Sequence, residues 1–379
     1  KEETQEYASY GLELIELTIQ VRLIDMARGK SVYETKMRHG TEFAADEIDE
    51  AFRRVMIISK TPVRVSFCGG GTDLDGFAKK EHLGGLVVST AISRYIHVTV
   101  NERFDNRIRL SYSRMETVDS VDEVQHDLVR EAMRVTGVTS GVEITTIADI
   151  PSRGTGLGSS SVVTVGVLNA LHHLAGRTVG PRQLAEEACK IEIDILGEPI
   201  GRQDQYAAAF GGLNRISFGE MGVEVVPITT DPGVVRRMEQ EFCLVYTGST
   251  RSASTVLGEE SYDAEDKLNR LRAIRGQAEE AEKLIQSGDL DALGRLLHNT
   301  WELKKGLSPS VTNDGLDSLY SKLIDLGVTG GKLLGAGGGG FFLVHGDDSI
   351  ASRLMSSLPR INRVLPLVIE EKGSEIIHS

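Results

Sequence analysis

One short segment, SRGTGLGSSS at residues 152–161, has the residue types and spacing of a phosphate-binding loop. Its three glycines stand on alternate positions and are followed by three serines, and glycine allows sharp turns and close backbone approach to a ligand. Pro151 closes a strand-like segment before it, and an apolar run follows it, which predicts a strand, a loop and a helix start. A helix N-terminus offers free N–H groups and a positive dipole to an anion. The segment therefore predicts a phosphate site.

Three known glycine-rich phosphate loops fit this segment poorly. No lysine followed by serine or threonine comes after the last glycine, as a P-loop requires. A second predicted helix follows where a dinucleotide-binding fold needs a strand, and the His-Arg-Asp and Asp-Phe-Gly signatures of protein kinases are missing from the sequence. A structural turn that enters a helix remains an alternative, with Ser159 as its N-cap.

Composition limits the class of protein. The chain has 379 residues, of which 40% are hydrophobic and 26% charged, so it can bury a large core and is expected to form two domains. A net charge of −13 and only 5% aromatic residues argue against a nucleic-acid surface. The three separate cysteines favour a reducing cytoplasm. With no apolar run of membrane-spanning length and no signal-peptide pattern, we predict a cytoplasmic protein without membrane or nucleic-acid partners.

Residues 1–54 differ from the rest of the chain. They contain little glycine, and apolar residues recur at three- and four-residue spacing, which predicts a helical extension. This extension is expected either to pack on its own domain or to form a homo-oligomer, and it could also be the tail of an upstream domain. We find no candidate catalytic or ligand-binding residues in this segment.

The remaining chain mixes strands and helices in two halves. Residues 55–230 predict strands, the phosphate loop and paired helices, whereas residues 231–379 predict long charged helices, further strands and a second glycine-rich segment. This order is typical of an α+β protein whose two domains, 55–230 and 231–379, enclose a cleft.

Three segments together resemble the signature motifs of the GHMP small-molecule kinases, the family of galacto-, homoserine, mevalonate and phosphomevalonate kinases. They are TPVRVSFCGGGTD at 61–73, PSRGTGLGSSS at 151–161 and KLLGAGGGGFFLV at 332–344, in the family's order. The resemblance runs from about Val55 to the C-terminus. It implies the two-domain GHMP kinase fold, with the active site in the interdomain cleft and with the helical extension outside it.

Within that family, five segments resemble D-glycero-D-manno-heptose 7-phosphate kinases: RVSFCGGGTDL, GRQDQYAAAFGGLN, YTGSTRSAS, WELKKGLSPSVTN and GGKLLGAGGGGFF. The resemblance implies ATP-dependent phosphorylation of the anomeric hydroxyl of that sugar phosphate, whose 1,7-bisphosphate is a precursor of nucleotide-activated heptose. Two alternatives stay open: a kinase of L-fucose or a related hexose, and an inactive kinase-fold sugar sensor. The presence of Arg64, Ser160, Glu192 and Asp204 argues against the inactive protein.

The resemblance assigns the cofactor residues. ATP would be bound by the phosphate loop, and Mg²⁺ by the Ser160 hydroxyl and the Glu192 carboxylate, since a hard divalent cation prefers oxygen ligands. Glu192 is expected at the edge of a buried helical stripe that includes Ile195, and an ordinary surface glutamate is the alternative. The loop residues expected at ATP are Gly154, Gly156, Leu157, Gly158, Ser159, Ser160 and Ser161.

The catalytic and substrate residues follow from the same resemblance. Asp204 is expected to approach the acceptor hydroxyl, with Arg64 holding it ionised and oriented. In galactokinase-like members a glutamate and a histidine stand where this chain has Gly70 and Gly71, and the loss of a carboxylate would admit a dianionic phosphate. Thr72 and Asp73 complete that substrate segment, and a purely structural glycine turn is the alternative.

Basic residues are the expected partners of the sugar phosphate, because arginine forms bidentate bonds with phosphate. The candidates are Arg202 and Arg251, with Lys304 or Lys305 as further choices, and surface charge is the alternative for each of them. The segment 335–340 predicts a tight glycine turn that lets backbone approach the phosphate loop.

Overall fold

The computed structural model describes residues 56–151, 154–250 and 265–379. Residues 57–379 form one compact unit. The predicted helical extension, its role in oligomerisation and the candidate Arg251 lie outside the described residues. No helix in the described ranges is long and apolar enough to cross a membrane.

An eight-stranded sheet forms the first layer of the fold. Its strands are β1 Met56–Cys68, β2 Gly85–Glu102, β3 Ile108–Ser111, β4 Met115–Val118, β5 Val142–Ala148, β6 Leu213–Gly219, β7 Gly222–Pro227 and β12 Glu375–His378. They are arranged in the order β12-β1-β2-β5-β3-β4, with β6 on β2 and β7 on β6. The long strand β2 pairs with β6 along its first half and with β5 along its second half, so it ties the sheet together.

Helices cover the inner face of this sheet. The central one, α3, is buried along nearly its whole length and packs on β2 and on the helices around it. Gly166 makes this approach possible, because a Cβ there would lie 2.9 Å from the Thr61 hydroxyl. The helices are α1 Asp75–Ala78, α2 Asp127–Thr136, α3 Ser159–Leu174, α4 Pro181–Cys189 and α5 Gln203–Phe210.

A smaller antiparallel sheet of four strands forms the second half, in the order β11-β8-β10-β9. Trp301, Tyr320 and Phe342 pack their rings against one another in its core. The strands are β8 Phe242–Tyr246, β9 Gly330–Leu333, β10 Phe341–His345 and β11 Val364–Pro366. The helices are α6 Pro232–Glu241, α7 Glu265–Ser287, α8 Leu290–Lys305, α9 Asp314–Asp325 and α10 Ile350–Ser357.

These elements confirm the predicted α+β class and the predicted pair of helices after the phosphate loop. The division into domains 55–230 and 231–379 stays a prediction. The structure adds that the two halves share elements, because the last strand pairs with β1 of the first sheet and α7 packs on β2.

Helix α4 ends in a wide π-helical turn, Lys190–Ile195, and this turn changes which side chains point inward. The stripe predicted from regular helical spacing included Ile195 and left Glu192 at its edge. That prediction is wrong: Ile195 is 46% exposed and Glu192 is 0% exposed. A π turn adds a residue to the helical repeat and rotates the following positions, and such turns are frequent at functional sites.

The two halves meet where two glycine turns pack backbone against backbone. A Cβ on Gly156 would lie 2.4 Å from the Leu334 carbonyl oxygen, and a Cβ on Gly335 would lie 2.4 Å from Gly156 Cα. A Cβ on Gly340 would lie 2.3 Å from the Thr155 carbonyl oxygen. The prediction that segment 335–340 allows close approach to the phosphate loop is therefore confirmed.

Replacing Gly335 by alanine should separate these turns. Gly335 has φ +69° as well as the close contact, so Gly335→Ala should lower the free energy of unfolding by about 1–3 kcal/mol and raise the KM for ATP. Gly276→Ala is the matched control, because Gly276 lies in helix α7 with no atom within 4 Å of the added Cβ. It should stabilise the protein by up to about 1 kcal/mol. Equal stability of the two variants in urea unfolding would contradict the packing described.

Candidate active site

A buried arginine, Arg64, joins strand β1, helix α5 and the phosphate loop. Arg64 on β1 is 2% exposed. Its Nε and Nη2 donate to the two carboxylate oxygens of Asp204 at 2.7 and 2.8 Å, and its Nη1 donates to the Gly156 carbonyl at 2.5 Å. The fork geometry of a guanidinium fits a carboxylate in this bidentate way. Arg64 therefore fixes Asp204, at the start of α5, relative to the phosphate loop.

The phosphate loop is built on left-handed glycines. Gly154, Gly156 and Gly158 have φ of +68°, +75° and +77°. Gly158 is the N-cap of α3, and a Cβ there would lie 2.9 Å from the Asp204 carboxylate. The loop glycines thus bring the start of α3 next to Asp204, and free N–H groups at a helix start can bind an anion.

The loop's other residues divide into anchors and exposed groups. The alternative that Ser159 caps α3 is wrong, because no side chain caps this helix and the Ser159 hydroxyl bonds instead to Thr155 at 3.1 Å. Leu157 is fully buried, and its carbonyl accepts the Arg64 backbone N–H at 3.3 Å. Ser160 is exposed and Ser161 is buried. Ser160 is therefore the serine available to a ligand above the loop.

Glu192 is a buried carboxyl that faces this loop. The Gln205 side-chain amide donates to its Oε2 at 2.6 Å, and its buried Oε1 has no hydrogen-bond partner among the described residues. Burial raises the pKa of Glu192 to about 7, against the opposing effects of Gln205 and of the Ser161 and Ser160 hydroxyls. A buried, partly unsatisfied carboxylate next to hydroxyls is suited to a cation. The alternative of an ordinary surface glutamate is wrong.

Buried hydrogen bonds of Thr72 and Asp73 stabilise the turn of the predicted substrate segment, residues 70–73. The Thr72 hydroxyl accepts the Leu86 N–H at 3.0 Å and lies 2.7 Å from the Gly69 carbonyl, and Thr72 is 0% exposed. The buried Asp73 accepts N–H bonds from Gly71 at 2.9 Å and from Gln203 at 3.2 Å. Asp73 thus also holds the first turn of α5. Burial raises the pKa of Asp73, and the neighbouring Asp204 raises it further.

Among the basic residues predicted to bind a sugar phosphate, the three that the structure describes are already engaged within the protein. Arg202 donates two 2.9 Å hydrogen bonds to Asp75, which leaves its charge balanced. Lys304 is half-buried, and its Nζ donates to the carbonyl oxygens of Leu333 and Gly335. Lys305 pairs with Glu302 at 2.7 Å. The role of each at the substrate phosphate stays a prediction.

The structure brings two further residues to the site. Lys332, the first residue of the third motif, donates from Nζ to the Ser66 hydroxyl at 3.2 Å, and both side chains are buried. Burial lowers the pKa of Lys332 to about 8. Strand alternation contained the signal for Ser66, because residues 64 and 66 share a face of β1. No sequence spacing indicated that β9 would place Lys332 opposite that face.

Comparison with known proteins agrees with this geometry. Residues 124–212 match the family model described as the GHMP kinases N terminal domain, and residues 281–361 match the GHMP kinases C terminal model. The chain is 31% identical over 325 residues to D-glycero-alpha-D-manno-heptose 7-phosphate kinase of Campylobacter jejuni, covering 80% of this chain and 93% of that protein. The chain belongs to the GHMP kinase family. As such it is an ATP-dependent sugar kinase, which phosphorylates a sugar hydroxyl.

Other GHMP kinases show how far the similarity extends. A bifunctional fucokinase/GDP-fucose pyrophosphorylase of Arabidopsis thaliana is 26% identical over 347 residues, which is 85% of this chain but 32% of that protein. The crystal structure of a D-glycero-D-manno-heptose 1-phosphate kinase from Bacteroides thetaiotaomicron superimposes with a TM-score of 0.70 at 24% identity, covering 85% of this chain and 100% of that one. The latter comparison supports the fold.

The Arg64–Asp204 contact predicts a kinetic effect of a charge-conserving change. Arg64→Lys keeps the positive charge but loses the second hydrogen bond to Asp204 and the bond to Gly156, so kcat should fall about 10- to 100-fold. The control is Arg182→Lys, because Arg182 is 55% exposed and pairs with Glu186 on the surface of α4. Steady-state kinetics should show little change there. An active Arg64→Lys variant with unchanged kcat would mean that the orientation of Asp204 does not matter.

Proposed function

We propose that this kinase transfers the γ-phosphoryl group of ATP to the anomeric hydroxyl of D-glycero-D-manno-heptose 7-phosphate. The product would be the 1,7-bisphosphate, for the synthesis of nucleotide-activated heptose. The observation that carries this proposal is the 31% identity to a heptose 7-phosphate kinase over 93% of its length. Gly70 supports it, because this chain has glycine where galactokinase-like members have a glutamate, so Asp73 stands in the substrate turn without that second carboxylate.

Positioning and electrostatics would perform most of the chemistry. Phosphoryl transfer needs the donor phosphates, the acceptor oxygen and the developing charge held in place. The N–H groups at the start of α3 would bind the donor phosphates, and Asp204 would orient the acceptor hydroxyl and receive its proton. The bidentate hydrogen bonds from Arg64 fix the Asp204 carboxylate, and in this proposal they would hold it toward that hydroxyl.

The residues beside the loop fit a magnesium ion. Glu192 supplies an unsatisfied buried oxygen, and Ser160 supplies an exposed hydroxyl. Within the described ranges no cluster of three or more histidine, cysteine or acidic side chains could hold a metal by itself. Magnesium commonly takes one or two protein ligands together with substrate phosphates. When bound, it would neutralise charge on the transferring phosphates.

The magnesium assignment predicts opposite effects on stability and activity. When folding raises the pKa of a carboxyl group, ionisation of that group lowers the free energy of unfolding. The loss begins as the pH rises past the pKa of the unfolded chain, and it is complete above the pKa of the folded protein. For Glu192 that window runs from about 4.5 to about 7, and the cost is on the order of 3 kcal/mol. Glu192→Gln should therefore stabilise the metal-free protein at pH 8 but not at pH 4, while Mg²⁺-ATP turnover is lost.

Asp194→Asn is the matched control for this experiment. Asp194 lies on the same π turn but is exposed, so the change should alter stability by less than about 0.5 kcal/mol and leave turnover intact. Glu192→Gln with normal turnover and an unchanged dependence on Mg²⁺ concentration would exclude Glu192 as a ligand.

A substrate comparison tests the proposed sugar. ADP release with Mg²⁺-ATP should be measured for the heptose 7-phosphate, mannose 6-phosphate, mannose, L-fucose and galactose. We expect kcat/KM for the phosphorylated heptose to exceed that for the free sugars by about a hundredfold, which corresponds to about 2.7 kcal/mol of transition-state binding. Asp204→Asn is the control for background ATP hydrolysis.

Preference for L-fucose or another free hexose would leave the kinase assignment standing and exclude the heptose phosphate. The fucokinase relative is the reason to include that sugar.

A further inference from the structure

Gly70 is a glycine that the backbone does not require. Its neighbours Gly69 and Gly71 have φ of +95° and +94°, but Gly70 has no positive φ. A Cβ added at Gly69 would lie 1.9 Å from the Leu86 carbonyl oxygen, whereas one added at Gly70 would have no atom closer than 3.8 Å. The fold therefore accepts a side chain at position 70, and the space at this position is available to a ligand.

Polar groups line this space. A Cβ on Gly70 would lie 3.8 Å from both the Ser66 Oγ and the Gln203 Nε2. Gln203 is 9% exposed, and its Oε1 has no hydrogen-bond partner within the described part of the chain. A buried amide that lacks a partner is costly, so a ligand that bonds to it would gain free energy.

A buried positive charge lies behind Ser66. Lys332 donates to the Ser66 Oγ, which leaves the serine O–H free to donate toward the Gly70 position. Across the described residues, no carboxylate lies within salt-bridge distance of Lys332, although its side chain is only 3% exposed. A buried cation without a counter-ion is unfavourable, and an incoming anion would supply one.

Asp204 and the proposed phosphate contacts are both tied to one face of β1. Arg64 holds Asp204, and Ser66 lies two residues further along the same face, so the Cα atoms of Arg64 and Ser66 are about 6.6 Å apart. A sugar with its anomeric hydroxyl at Asp204 would extend its far end along the strand toward Ser66. The two ends of the acceptor would then meet a carboxylate and a cation-backed hydroxyl.

We propose that Ser66, Gln203 and Lys332 form, around the Gly70 position, the subsite that binds the phosphate group of the acceptor sugar. The inference rests on the proposed function, and it names the residues that select a phosphorylated sugar over a free one. The Ser66 hydroxyl and the Gln203 amide contact the phosphate, while Lys332 neutralises its charge from behind the serine.

A pair of variants tests this subsite by selectivity. Lys332→Met and Ser66→Ala should each lower kcat/KM for heptose 7-phosphate relative to the dephosphorylated heptose, by about 10- to 100-fold for Lys332→Met. The KM for ATP should not change. Lys322→Met, on the exposed face of α9, is the control and should leave the ratio unaltered. Lys332→Arg should restore part of the selectivity.

The pH dependence gives a second readout. The charged and titratable groups that face Lys332 are Arg64 and Cys68 from β1 and Lys304 from α8. Because burial lowers the pKa of Lys332 to about 8, the preference of the wild-type enzyme for the phosphorylated sugar should decline as the pH rises through this range and the ammonium loses its proton. With Lys332→Arg this decline should disappear.

The outcomes separate this inference from the proposed function. If the wild-type enzyme prefers heptose 7-phosphate but both variants lose activity equally on the two sugars, or keep full selectivity, the subsite lies elsewhere and the proposed function stands. If Lys332→Met does not fold, Ser66→Ala decides in the same way. If the wild-type enzyme shows no preference for a phosphorylated sugar, both proposals are wrong.

Discussion

The Arg64–Asp204 ion pair is the contact on which the rest of the site depends. A guanidinium that is 2% exposed needs partners within the protein, and each of the three nitrogens of Arg64 donates a hydrogen bond, two to one carboxylate and one to a carbonyl. These partners belong to α5 and to the phosphate loop. The burial of Arg64 and the packing of the loop against β1 therefore depend on each other. The same bonds that satisfy a buried charge also orient the candidate catalytic aspartate.

The second constraint is the close approach of the phosphate loop to the turn 335–340, which glycine residues allow. Backbone atoms of the phosphate loop and of the turn 335–340 lie so close together that a Cβ on Gly156, Gly335 or Gly340 would collide with the opposite backbone. Lys304 strengthens this contact because it donates to the carbonyl of Gly335. In this way the second half of the chain supports the loop without supplying the catalytic aspartate.

The sequence motifs predicted those parts of the site whose residues are close together in the chain or belong to a family motif. Glycine spacing predicted the loop, and the order of the three motifs predicted the family, so Arg64, Asp204 and the loop are found together. Other features depend on long-range packing that spacing does not encode. The π turn that buries Glu192, the Asp75 partner of Arg202 and the approach of Lys332 to Ser66 are of this kind.

The central claim is that phosphate is transferred to the anomeric oxygen of a sugar that already carries one phosphate. Phosphorus-31 NMR of the product formed from ATP and heptose 7-phosphate tests it directly. We expect a new glycosyl phosphate signal coupled to the anomeric proton, in equal amount to the retained phosphomonoester signal. ATP consumption that yields only inorganic phosphate, or a new phosphate attached at another carbon, would contradict it.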